Sequence, residues 1–175
     1  LPEHEYEKLA SKTLEIIAEC GSNTQLILHT HANAASRLGA SELHLPFAKF
    51  MALGGERATN LRNLVKFDGV CTDKDEDGGI CASNLTQKLK VGVSVHSLQQ
   101  ALSAQELGAD YVVAGHIFDT PSHAPERGRG LNFLQEICKN LSIKTYAIGG
   151  INFKNLGEVK EAGAAGVYMM RGFLS

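Results

Sequence analysis

A chain of 175 residues, 43% hydrophobic and 21% charged, is long enough to bury one good core and reads as a single globular domain. Its formal net charge of −2, with no cluster of Lys and Arg, speaks against a nucleic-acid-binding surface. No apolar run approaches the roughly 20 residues that span a bilayer, and no charged-then-apolar leader opens the chain, so a cytoplasmic protein is expected.

Apolar residues at Leu9, Leu14, Ile16 and Ile17 predict a helix over 5–20, ended by Gly21. A short buried strand follows at 25–29, then a brief helix over 33–38 closed by Gly39 and a second strand over 42–45. The stretch 46–90 is the least regular, with 61–67 its one candidate helix. Within it, Asp73, Asp75, Asp77 and Gly78 copy the first half of a calcium-binding EF-hand loop. Asn84 stands where that loop needs a bidentate Glu, so a solvated acidic surface loop is expected instead. Cys71 and Cys81 flank it and could pair under oxidation. With Cys20 and Cys138 they show no Cys-x-x-Cys spacing, and reduced thiols are the expectation.

From Val91 the pattern sharpens. Strands are predicted over 91–95, 111–115, 145–148 and 166–170, and helices over 98–107, 131–140 and 154–162. Ser97-Leu-Gln-Gln100 has the form of a capping box, and Gly108 closes the helix it opens. A loop rich in Pro, Gly and charge occupies 119–130. Six strands alternating with helices, without internal repeat, imply a parallel sheet. A closed eight-stranded barrel takes about 250 residues and at least about 200. The expectation is therefore a (β/α)8 TIM barrel lacking its first two strands and last helix, because both ends of the chain read as cut. An open doubly wound sheet is the alternative, but no Gly-x-Gly-x-x-Gly turn supports it.

The chemistry-capable residues follow the strands, where parallel β/α folds bind ligands. Gly149-Gly150 and Arg171-Gly172 lie after the last two strands and predict a phosphate site built from backbone N–H groups. His116, after Gly115, points at the same mouth and could both remove and return a proton. His96 beside Ser97 reads as structural. Ser94 is either a core hydroxyl or a substrate contact. His29 and His31, two apart at a strand end, with His44 after the next strand, could form a three-histidine metal site. No carboxylate or cysteine completes it, so pocket-lining histidines are expected and no metal.

These residues fall in motifs that resemble the TenI/thiamine-phosphate-synthase superfamily: Gly-Val-Ser-Val-His-Ser, then Gly-Ala-Asp-Tyr-Val-Val-Ala-Gly-His-Ile-Phe-Asp-Thr, then Ala-Ile-Gly-Gly-Ile and Ala-Gly-Ala-Ala-Gly-Val. The segment Glu42-Leu-His-Leu-Pro46 resembles an earlier unit of the same family, and 47–90 reads as an insertion. The resemblance implies one of two activities. Synthases of the family couple a thiazole phosphate to a pyrimidine pyrophosphate using magnesium. Their pattern carries Gly-Gln and a nearby Asp after the His-Leu, and Gly-Pro where this chain has Gly115-His116. Both differences are similar to the tautomerase branch, which aromatises a carboxythiazole phosphate without a metal. The resemblance therefore implies an isomerase with His116 as its acid/base residue. It implies phosphate held at Gly149, Gly150, Met170, Arg171 and Gly172, with Thr120, Ser94 and His29 contacting the substrate. No cofactor is expected, magnesium entering only with the synthase alternative; a non-catalytic relative is the third reading. The expected partner is a small phosphorylated thiazole, and a homodimer is allowed. Arg171 stands where the family usually has a small residue. The family's substrate-holding Arg-x-Lys strand would precede Leu1.

Overall fold

The computed structural model describes residues 1–53 and 89–170. The proposed helix at 61–67, the acidic loop, Cys71, Cys81, Arg171 and Gly172 lie outside them. The described elements run α1 (Glu3–Glu19), β1 (Leu28–His29), α2 (Ala32–Arg37), β2 (Glu42–Pro46), α3 (Phe47–Leu53), β3 (Lys90–Val95), α4 (Leu98–Glu106), β4 (Tyr111–Ala114), α5 (Gly130–Asn140), β5 (Lys144–Ile148), α6 (Leu156–Glu161) and β6 (Gly166–Tyr168), with a 3-10 turn at Pro121–His123 between β4 and α5.

All neighbouring strands pair in parallel, in the order β1 to β6, giving a curled six-stranded half-barrel. Strand alternation divides the side chains between two faces. Leu28, Leu43, Leu45, Val91, Val93, Val95, Val112, Ala114 and Ala147 are buried in one core with Leu134, Ile137 and Val159 of the covering helices. The other face carries His29, His44, Tyr111, Tyr146 and Tyr168. This is the polar and aromatic face of a barrel wall, whereas a doubly wound sheet would bury both faces in aliphatic side chains. Among the described residues β1 and β6 remain edges, so the observed architecture is the half-barrel and not a closed eight-stranded ring.

Two neighbours on the inner face require glycine. Gly92 pairs with Tyr111, and a Cβ there would lie 2.1 Å from the Tyr111 ring. Gly166 pairs with Tyr146, and its Cβ would come within 3.0 Å of that ring. Each missing side chain leaves the space that the tyrosine ring of the adjacent strand occupies.

The expected elements appear with adjusted ends. β1 is two residues long rather than five, its ladder with β2 being limited to Leu28–Leu43 and His29–His44, while the Gln25 side-chain amide donates to the Ser41 hydroxyl (2.7 Å) ahead of it. The one described helix absent from the expectation is α3, which starts directly after Pro46 and buries Phe50 completely. At the end of β3, Ser97 Oγ accepts from the Gln100 N–H (3.1 Å), while Gln100 Oε1 accepts from the His96 N–H (2.8 Å). The reciprocal cap is thus present, shifted by one residue on its return arm. Ser97→Ala should lower stability by about 1 kcal/mol, read as a shifted urea midpoint with unchanged slope. An unaltered midpoint would show that α4 is held by packing alone.

Candidate active site

Rings cross the inner face as a chain of contacts. His29 and His44 centroids lie 5.5 Å apart, His44 and Tyr111 6.0 Å, Tyr111 and Tyr146 5.4 Å, and Tyr146 and Tyr168 5.8 Å. The two tyrosine pairs meet edge to face, the arrangement that ring quadrupoles favour. Ser94 is the polar link: its hydroxyl lies 2.7 Å from His44 Nε2. Burial, and secondarily the charge of His29, holds the His44 imidazole down to about 4, so the ring is neutral at pH 7.

At the carboxyl ends of β4 to β6 a pocket of about 320 Å³ opens, within the size range of small-molecule sites. Its lining includes Thr120, His123, Gly149, Gly150, Tyr168 and Met170. Gly149 and Gly150 have φ of +102° and +65°, which L side chains rarely adopt. Their second constraint is contact with the loop after β4. A Cβ on Gly149 would meet His116 Cβ at 2.3 Å, and one on Gly150 would meet the Asp119 carbonyl oxygen at 2.7 Å. Asn155 Nδ2 donates to the Gly150 carbonyl (3.0 Å) and its Oδ1 accepts from the Asn152 N–H (2.8 Å), which pins the turn. The Gly150 N–H itself finds no acceptor among the described residues.

His116 is placed differently from the expectation of a mouth-facing base. It is 3% exposed, is not among the lining residues, and its Nε2 finds no partner among the described residues. Its ring stacks at 4.4 Å on His123, which does line the pocket. The loop between them is closed at its base by Arg129 N–H to His116 O (2.9 Å) and Gly130 N–H to Ile117 O (2.9 Å). Asp119 is the one carboxylate in the lining, and its Oδ1 accepts from the Gly128 N–H (2.6 Å). His96 is structural as read: its Nδ1 lies 2.8 Å from the Gly115 carbonyl oxygen, which also accepts from Arg129 Nε. Of the expected substrate contacts, Gly149, Gly150, Thr120 and Met170 share the pocket. Ser94 and His29 belong to the ring chain across the inner face.

His123, Asn152 and Tyr168 were not singled out in the sequence. The signal for His123 was its place in the Pro- and Gly-rich loop directly after a strand end; nothing local marks the other two.

No group of three His, Cys, Asp or Glu side chains among the described residues is arranged to hold a metal ion, the three histidines at β1 and β2 included. The residues after His44-Leu45 are Pro46-Phe47-Ala48-Lys49, with a cation as the first charge.

A family model described as thiamine monophosphate synthase (TMP-TENI) matches residues 1–173. The chain belongs to this family. The thiamine-phosphate synthase of Pyrococcus furiosus is 38% identical over 103 residues, 59% of this chain and 50% of that protein. That of Synechococcus sp. is 37% identical over 117 residues, 66% of this chain and 33% of that protein. That of Thermus thermophilus is 41% identical over 85 residues, 48% and 41% of the two chains. The chain thus spans about half or less of the length of these curated relatives. Among solved structures, thiamine phosphate pyrophosphorylase from Pyrococcus furiosus superposes with a TM-score of 0.65 at 22% identity, covering 98% of this chain and 68% of that one. FabK from Thermotoga maritima reaches 0.67 at 14% identity, covering 99% and 48%. Likeness at these identities shows the fold alone.

The relatives overturn the expected tautomerase, and with it the isomerase class: these curated relatives carry the synthase name. Two local differences, Pro46 and Gly115-His116, had outweighed a similarity that extends over 85–117 residues. Membership in the thiamine-phosphate synthase superfamily stands. No described helix is long and apolar enough to cross a membrane.

Proposed function

We propose that this chain forms the substrate-binding part of a thiamine-phosphate synthase, a transferase that couples a thiazole phosphate to a pyrimidine pyrophosphate. The observation that carries the reading is the pocket at the ends of β4 to β6, built on two left-handed glycines, in a chain 37–41% identical to proteins named for that activity. Its six strands fit six consecutive strands of a (β/α)8 barrel in one domain, with α3 as the helix of the β2 unit.

In this reading the Gly150 N–H and the neighbouring turn hold a phosphate, because backbone donors without a Cβ let an oxyanion approach closely. Thr120 and Met170 wall the same pocket. His116 supports His123 over the opening by stacking. The aromatic inner face offers flat surfaces on which an uncharged heterocycle can lie, with the Ser94–His44 pair as its polar contact.

Incubation of the chain with both substrates, followed by chromatography, should yield thiamine phosphate and release inorganic pyrophosphate. Calorimetric binding of the thiazole phosphate without any coupled product would reduce the protein to a phosphate-binding member of the family.

A further inference from the structure

We propose that Arg129 is a positioning residue for the β4–β6 pocket: by gripping the Gly115 carbonyl it fixes the chain at His116, and through His116 the His123 wall and the Gly149 turn. The synthase reading supplies the ligand used in the test; the grip itself stands on the geometry below.

The ladder between β3 and β4 ends at Gly115, whose N–H donates to the Val95 carbonyl (3.2 Å). Beyond it the chain is tied to two other segments. Ile117 N–H donates to the Ile148 carbonyl (2.9 Å) and Phe118 N–H to the Gly149 carbonyl (3.0 Å). The returning limb of the loop donates from Arg129 N–H to the His116 carbonyl and from Gly130 N–H to the Ile117 carbonyl, both at 2.9 Å. No slack remains toward the pocket turn, because a Cβ on Gly149 would lie 2.7 Å from His116 Cα and 3.1 Å from Ile117 N. The His116 ring carries that of His123 at 4.4 Å, and both His123 and Gly149 line the pocket.

The returning limb is the weak member of this arrangement, since Arg129 stands between two glycines. Gly128 is required by contact: a Cβ there would meet the Ile117 carbonyl oxygen at 2.5 Å. Gly130 holds φ at +81°, with nothing within 4 Å of a Cβ position. Glycine on both sides gives the limb more backbone freedom than other residues would. The Arg129 side chain removes that freedom. Its Nε donates to the Gly115 carbonyl (3.1 Å), so one residue grips two successive carbonyls, with its main chain and with its side chain. The guanidinium lies 5.7 Å from the centre of the Phe133 ring, one turn along α5, which orients it. His96 takes the other lone pair of the same carbonyl; a carbonyl only accepts, so the His96 ring proton is on Nδ1, 2.8 Å away. Gly115 is buried, and a charged donor to its oxygen makes the stronger of the two bonds.

Two variants test the grip. Arg129→Met removes the donor and keeps an unbranched stem beside Phe133. Arg129→Gln restores a neutral N–H on the atom that corresponds to Arg Nε. Wild type and both variants are compared by amide hydrogen exchange in NMR and by calorimetric titration with the thiazole phosphate. In Arg129→Met the Ile117, Phe118 and Gly130 amides should exchange at least about tenfold faster. The Lys90 and Asp110 amides, bonded to the Ser41 and Val91 carbonyls, should keep their wild-type rates. Thiazole phosphate should bind about tenfold more weakly, the effect expected of losing one charge-assisted hydrogen bond. Arg129→Gln should return both readouts to within about threefold of wild type. Faster exchange at the two reference amides as well would make Arg129 a general stabiliser and overturn the inference, as would wild-type exchange or wild-type affinity in Arg129→Met. Arg129→Gln behaving like Arg129→Met would show that the charge itself matters, and overturns it too. A wild-type chain that binds no thiazole phosphate counts against the synthase reading, and the exchange rates then decide the grip alone.

Discussion

Gly149→Ala is expected to cost about 3 kcal/mol or more, because it violates two constraints at once. The backbone there holds φ at +102°, and an added methyl group would sit 2.3 Å from His116 Cβ and 2.7 Å from His116 Cα. His116 cannot retreat, since its carbonyl accepts from the Arg129 N–H and Ala114 before it is fully buried. In a domain of this size the loss should lower the melting temperature by about 10 °C. Gly21→Ala supplies the control. Gly21 has φ of +58° but nothing within 4 Å of the added atom, so it bears the backbone cost alone, about 1 kcal/mol. Scanning calorimetry of both variants separates the terms. Equal shifts would mean that the loops after β4 and β5 do not press on one another, and the pocket would lose its rigid wall.

The same contact shows where sequence reasoning stops. The Gly149-Gly150 turn after a strand was legible, because spacing along one chain reveals it. That Gly149 is also needed for His116 to pack depends on two loops 33 residues apart meeting in space. The strands from Val91 onward were legible because they are short apolar runs set between helix-patterned segments. α3 was not, being seven residues with no capping signal. His116 was read as facing the mouth because it ends a strand, yet its ring is covered by a histidine seven positions on, in a loop with no periodicity to read.

The inner face was the least legible feature. Tyr111, Tyr146 and Tyr168 carry no shared motif; only the parallel register aligns them, with Gly92 and Gly166 making the space. The misassigned activity has a related cause. Single positions such as Pro46 and His116 were weighed as chemistry, and a site's chemistry depends on which side chains the fold turns into one cavity.

That face also makes the fold sensitive to acid in a window that carboxylates do not explain. His44 is held at about 4 in the folded chain against an ordinary 6.5, chiefly by burial. Between those values the unfolded chain binds more protons than the folded one, so stability falls as pH falls. The contribution is fully present above 6.5 and is lost on the way down to about 4. Each tenfold difference in proton affinity is about 1.4 kcal/mol, so the loss between pH 7.5 and 4.5 should be about 2.5 kcal/mol. His29, also lowered by burial and by its cationic neighbours, acts in the same direction. Glu7, lowered by its hydrogen bond and ion pair with Arg37, contributes only below its ordinary 4.5, a window that begins where the histidine effect is nearly spent. Urea unfolding at both pH values, in wild type and His44→Gln, isolates the term. The amide keeps a partner for Ser94 and cannot titrate, so the variant's stability should change by about 2.5 kcal/mol less than wild type's across the interval. Parallel pH profiles would show that His44 takes up its proton as readily in the fold as in the open chain, and that water reaches the ring face between β1 and β4.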